Sequence, residues 1–148
     1  MFTLEEKKVL AHAASIIESK IKKTDAFTSP NLVKDYCQNT LAHCEQEVFQ
    51  VLHLDNKNRL IESAPMFYGT IDAASVYPRE VVKAALIRNS AALILVHCHP
   101  SGDPTPSEAD KRITRRLKEA LSLIDVRVLD HIVVGVEGCY SFAEHGQI

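Results

Sequence analysis

Six consecutive apolar residues, Ala91 to Val96, run without a break into His97-Cys98-His99-Pro100, and this junction constrains the fold more than any other part of the chain. An uninterrupted apolar run of this length reads as a strand buried on both faces, the pattern of an inner strand in a sheet covered by helices. Successive side chains on a strand alternate between faces, so His97 and His99 point to the same side and Cys98 to the other. Pro100, Gly102, Pro104 and Pro106 then impose an irregular connection. Ser107-Glu108-Ala109-Asp110 opens the next helix, which is expected to run to Ile124.

The same junction carries the chemistry. His97 and His99 at a strand end and Asp110 at a helix start approach one point from two directions. Three protein ligands of this kind leave the fourth tetrahedral position of a zinc ion for water, which separates a catalytic from a structural site. Zinc lowers the pKa of water from 15.7 to roughly 7, and hydrolysis then needs a proton shuttle and a donor to the developing oxyanion. Ser107 is the nearest hydroxyl. Ser-x-x-Asp is also a common helix-capping pattern that needs no metal, and a cap can line a site. Other two-histidine chemistries fail on the residues. The HxHxDH pattern of two-metal hydrolases would need Asp where Ser101 stands, and the HxE and PCxxC pair of zinc deaminases is absent.

Hydrophobic periodicity places the remaining elements. Val9, Leu10, Ala13, Ile16, Ile17 and Ile21 mark one amphipathic helix between Leu4 and Lys23, followed by a hinge over 24–28. Ser29-Pro30 opens a second helix to about Ala42, with Ser as N-cap and Pro at the first position. Strands follow from Glu45 to Asp55 and from Arg59 to Gly69 around the turn cluster Asp55-Asn56-Lys57-Asn58. A helix over Pro78 to Asn89 is expected to turn Val81, Val82, Ala85 and Leu86 inward. The last elements are a strand over Val126 to Val134 and a short return strand over Cys139 to Phe142 after Gly135-Val136-Glu137-Gly138. Strands interleave with helices while hairpins persist, so the expected fold is α/β, a mixed β-sheet with helices on both faces.

At 148 residues and 46% hydrophobic content, the chain can bury one core. No apolar run approaches the roughly 20 residues of a bilayer span, so no membrane partner is expected. Cys37, Cys44, Cys98 and Cys139 show no CxxC spacing and no secretory signal precedes them, which predicts reduced thiols and a cytoplasmic setting. Net charge of −2 argues against a general nucleic-acid binder. Lys111, Arg112, Arg115, Arg116 and Lys118 nevertheless make one helix basic, with 111, 115 and 118 sharing a face, either a solvated face or a docking site for acidic substrate or nucleic acid near the metal.

The spacing HxH, seven residues, Ser, two residues, Asp is similar to the JAMM motif of the JAB/MPN metalloprotease superfamily. Val76-Tyr77-Pro78-Arg79-Glu80-Val81-Val82-Lys83, His99-Pro100-Ser101-Gly102-Asp103 and Val126 to Gly135 resemble the RadC-like branch. The likeness covers about residues 30 to 142. It implies a three-layer, cytidine-deaminase-like sandwich over 29–148, preceded by the helix and hinge of 1–28, with one zinc per chain on His97, His99 and Asp110. It also implies a glutamate on an early strand as proton shuttle, for which Glu47 matches and Glu45 is the alternative. The implied activity is hydrolysis of peptide or isopeptide bonds on a peptide or protein-conjugate substrate, with Ser107 facing the oxyanion. The alternative is a DNA-repair-associated accessory protein with a structural or residual metal site, and a nuclease comes third. The branch commonly has Asn between the histidines where this chain has Cys98. Its full-length members also carry an N-terminal helix-hairpin-helix-like region, in place of which only a short preamble is expected here. A homo-oligomer is open.

Overall fold

In the computed structural model, which describes residues 2–26, 28–69 and 76–148, a five-stranded sheet is ordered β2-β1-β3-β4-β5. The strands are β1 (Val48–Leu54), β2 (Leu60–Tyr68), β3 (Ala92–Cys98), β4 (Arg127–Gly135) and β5 (Gly138–Ser141). The helices are α1 (Leu4–Ile21), α2 (Pro30–Leu41), α3 (Pro78–Ile87) and α4 (Glu108–Ser122). β1 pairs antiparallel with both β2 and β3, β4 runs parallel to β3, and β5 returns antiparallel along β4. The sheet is mixed and covered on both faces, the α/β three-layer arrangement expected.

Alternation along the strands sorts the core into two halves. Leu52, Leu54, Ile94, Val96, Ile132 and Val134 pack with Val33, Tyr36, Cys37 and Leu41 of α2 and with Ile21 at the end of α1. Phe49, Val51, Leu93 and Leu95 face the other way, against Val81 and Ala85 of α3 and Ile113, Leu117 and Leu121 of α4. Every residue of β1 and β3 is buried. That is why β3 reads as a continuous apolar run, and why truncating Leu95 to alanine would cost about 2–5 kcal/mol.

Local signals set the ends. Asp55 closes the β1–β2 turn by accepting Lys57 N–H at 2.8 Å and Arg59 N–H at 2.9 Å on one carboxylate oxygen. Thr3 and Glu6 form a capping box that starts α1. Pro30 opens α2 as expected, although Ser29 makes no side-chain cap bond. Two expectations need correction. The first strand starts at Val48 rather than Glu45, because the chain turns until Gln46. Leu86, expected inward, is 56% exposed: α3 uses Val81, Ala84 and Ala85 for its buried stripe, and Leu86 falls on the rim. The preamble folds as α1 packed on α2. No helix among the described residues is long and apolar enough to cross a membrane.

Candidate metal centre

The strand register delivers the first three side chains. Phe49 of β1 lies opposite His97 of β3 in an antiparallel pair, so two residues further out Glu47 stands across from His99 on the same face. The backbone of Glu47 is fixed at the sheet end because its carbonyl accepts Gly69 N–H at 2.9 Å. Glu47, His97 and His99 each bring a ligand atom within 4.8 Å of one another, a group that could hold a metal ion. His97 is 1% exposed and Glu47 25%.

Asp110 arrives from α4. Ser107 is the N-cap: its Oγ accepts Asp110 N–H at 3.1 Å, and Asp110 Oδ2 accepts Ser107 N–H at 2.8 Å, a reciprocal capping box. The capping expectation for Ser107 therefore holds, and the same box turns the Asp110 carboxylate toward the sheet. Asp110 is fully buried, with Oδ1 3.0 Å from His97 Nδ1 and Oδ2 3.2 Å from His99 Nε2. Burial opposes its charge, but the two histidines and Ser107 N–H outweigh that and hold the carboxyl well below its usual range.

The tautomer of His99 is set by the loop. Its Nδ1 is 2.9 Å from the carbonyl of Asp103, which can only accept, so Nδ1 carries the proton. Nε2 then faces Asp110 with its lone pair when the ring is neutral. Asp110 raises the His99 pKa by hydrogen bonding, because a proton on Nε2 relieves that clash. His97 Nδ1 and Asp110 Oδ1 are buried and 3.0 Å apart but outside hydrogen-bonding geometry, and His97 Nε2 is buried with Glu47 only at 3.9 Å. Lone pairs and anionic oxygens converging with this little compensation could hold a cation, and a carbonyl locking the outer nitrogen is the usual support of a metal-ligating histidine. The residues fit a divalent metal.

The loop itself is clamped. His99 N–H donates to Val134 O at 2.8 Å and Glu137 N–H to Gly102 O at 3.1 Å, tying the ligand loop to the β4–β5 turn. Gly102 sits at φ +94°, and a Cβ on Gly135 would lie 2.1 Å from Gly102 O, so both positions require glycine. Cys98 points to the opposite face as expected, where it takes Val48 N–H at 3.2 Å. Interaction with Cys44 and burial push its thiol well above the usual range.

A second polar layer lies behind the ligands. Thr114 Oγ1 donates to Asp110 O at 2.6 Å and contacts His131 Nδ1 at 2.6 Å. With its only proton committed, Thr114 must accept from His131, which fixes the Nδ1–H tautomer. Burial drives the His131 pKa down to about 3, and its ring stacks on Phe142 at 4.7 Å. His131 is thus a buried, hydrogen-bonded strand residue. Spacing gave no hint of its link to Asp110, although Thr114, four residues beyond Asp110, was a readable signal. Nor was Asp103 foreseen, since it acts through its backbone. Glu45, the alternative to Glu47, is exposed and paired with Lys7 instead.

Of the basic residues on α4, Lys111 pairs with Glu108 at 3.2 Å. Arg112, Arg115 and Arg116 are all exposed.

Residues 27–147 match the family model of the RadC-like JAB domain. The chain belongs to the RadC-like JAB family. A UPF0758 protein of Vibrio cholerae serotype O1 is 58% identical over 142 residues, covering 96% of this chain and 90% of that protein. A UPF0758 protein of Cellvibrio japonicus is 56% identical over 93% of this chain and 62% of its own length. One from Pseudoalteromonas translucida is 54% identical over 95% and 62%. This RadC-like JAB domain therefore spans nearly the whole of one relative and about three-fifths of the others. The matched span contains every residue of the candidate centre.

Proposed function

We propose that this RadC-like JAB domain is a zinc-dependent hydrolase of peptide or isopeptide bonds, with His97, His99 and Asp110 holding the ion and Glu47 moving the proton. The observation that carries the proposal is the closed arrangement of two histidines and two carboxylates in which His99 has its outer nitrogen locked by Asp103 O. Two imidazoles and carboxylate oxygen suit zinc. When bound, such an ion supplies an acidified water and a Lewis acid for the scissile carbonyl.

The residues of the chain do the rest. Glu47, partly exposed at the rim, accepts the proton of the attacking water and returns it to the leaving nitrogen. Ser107, at the exposed end of α4, presents its hydroxyl to the carbonyl oxygen as negative charge develops there, while its Oγ lone pair keeps the cap. His99 keeps its ligand geometry through turnover because its Nδ1–H stays on Asp103 O. All four cysteines are free, in keeping with a reducing, cytoplasmic setting. Net charge of −2 and the pairing of Lys111 with Glu108 weigh against DNA as the substrate.

The test is a panel of peptide and isopeptide substrates offered to the zinc-loaded wild type and Glu47→Gln. Cleavage by the wild type, lost in Glu47→Gln with the metal retained, supports the proposal. Equal cleavage by both removes Glu47 from the mechanism, and no cleavage at all by a fully loaded chain argues for a non-catalytic site.

A further inference from the structure

Away from the metal centre, α3 and the C-terminal half of α4 leave a groove of about 540 Å³ between them. Its floor is apolar: Pro78, Val82 and Leu86 follow one another at i, i+4 spacing along α3, and Ala120, Leu123 and Ile124 face them from the end of α4. Leu86 is 56% and Leu123 86% exposed. Each leaves in water a side chain whose full burial is worth about 1.5–3 kcal/mol. A contiguous patch of this kind, rimmed by charge, is the usual mark of an interaction surface.

The charged residues lining the groove itself are both cations. Arg79 and Lys83 stand one helical turn apart along α3. Arg116 borders an adjoining depression of about 550 Å³ that shares Pro78, Ala120 and Leu123 with the groove. Against these three cations stand Glu119, in the same depression, and Glu80, 3.8 Å from Arg79. On a chain of net charge −2, this is a local reversal. It calls for a partner that brings negative charge and large apolar side chains together. A nucleic acid brings the charge, but it binds through phosphate neutralisation and stacking on aromatic rings, and the groove offers it only aliphatic side chains. A membrane surface would want a convex apolar face rather than a cleft.

We propose that the groove between α3 and α4 docks a short acidic peptide segment of a partner protein, one or two large apolar side chains filling the floor while flanking carboxylates meet Lys83 and Arg79. The groove lies about 15 Å along α4 from Asp110, so the segment recruits a partner without occupying the metal centre. This assignment stands whether or not the metal centre is catalytic.

A random dodecapeptide phage library panned over the full chain, with Lys83→Glu/Leu123→Ser as counter-selection, tests it. The selected peptides are expected to carry at least two acidic residues around a Leu, Ile, Phe or Trp. By fluorescence anisotropy, their affinity should fall about tenfold or more in Lys83→Glu and in Leu123→Ser, and weaken between 50 and 200 mM salt. It should persist in Lys83→Arg and in Lys57→Glu, a charge change on the distant β1–β2 turn. All three positions are on the surface, and unchanged melting temperatures check that folding is intact. The proposal is overturned if no peptide enriches over the counter-selection, if the enriched peptides lack acidic residues, or if the two groove substitutions leave affinity unchanged. A single-stranded oligonucleotide that displaces the peptide, with the same dependence on both substitutions, would reassign the groove to nucleic acid. Self-association abolished by Leu123→Ser in sedimentation would reassign it to a second copy of the chain.

Discussion

Replacing Ser107 separates its two roles, because the structure assigns each to a different feature of the side chain. As a cap, Ser107 contributes one bond, Oγ accepting Asp110 N–H at 3.1 Å; the reciprocal bond from Ser107 N–H to Asp110 Oδ2 uses the backbone and survives any side-chain change. Ser107→Ala therefore loses half of the capping box, about 1 kcal/mol, or about 2–4 °C in melting temperature for a chain of this size. Ser107→Asn keeps a capping acceptor and should recover most of that loss. The proposed oxyanion contact requires a donor at the place of the hydroxyl, which Ala lacks and which the Asn amide N–H can supply in part. Ser107→Ala should lower kcat by about 10²-fold or more, with little change in KM. The assay is thermal unfolding of the metal-free chain beside steady-state hydrolysis by the zinc-loaded chain. If Ser107→Ala lowers the melting temperature but leaves kcat near the wild-type value, Ser107 is a cap alone and the oxyanion role is wrong.

Further expectations follow from other contacts. Glu47→Gln should keep zinc and lose hydrolysis, while Asp110→Asn should weaken zinc binding by at least about 100-fold in chelator competition; the reverse pattern would make Glu47 the third ligand and Asp110 the supporting carboxylate. Thr114→Val leaves the His131 N–H without its acceptor, at a cost of about 1–3 kcal/mol. Nitrogen NMR of the imidazoles should then show His131 leaving the Nδ1–H form, whereas Thr114→Ser should hold it; a tautomer indifferent to Thr114 would contradict the assignment. His53, fully buried against Ser90, has its pKa driven by burial from 6.5 down to about 4. Its folded pKa is below its unfolded one, so the stability it contributes is present above pH 6.5 and is lost as the pH falls toward 4, by the order of 3 kcal/mol. His53→Gln should flatten that part of the stability curve measured by denaturant unfolding, and an unchanged slope would show that His53 is not the group titrating.

Much of this molecule could be read from local pattern because local pattern is what built it. The apolar run of β3, the two-residue spacing of His97 and His99 and the cap at Ser107 each reflect the geometry of a single element, and each stands where expected. Leu86 misled because apolar spacing names a stripe without saying how wide the covering surface is; α3 buries Val81, Ala84 and Ala85, and the stripe ends there. The lock on His99 by Asp103 O was not legible, since it depends on the path of a proline-rich loop and on a backbone atom common to every residue. The contact between Thr114 and His131 joins residues 17 apart across helix and strand and exists only after α4 has docked on the sheet. Likewise, the basic series on α4 was visible, but its division among a partner for Glu108, exposed arginines and the rim of an apolar groove required the neighbouring α3.

The central claim is that His97, His99, Asp110 and Glu47 form a metal site, and elemental analysis of the chain purified without chelator or polyhistidine tag tests it most directly. About one zinc per wild-type chain, lost in His99→Ala while the fold persists by circular dichroism, is the predicted result. No metal in the wild type after loading with zinc at neutral pH, or equal metal in wild type and variant, would contradict it.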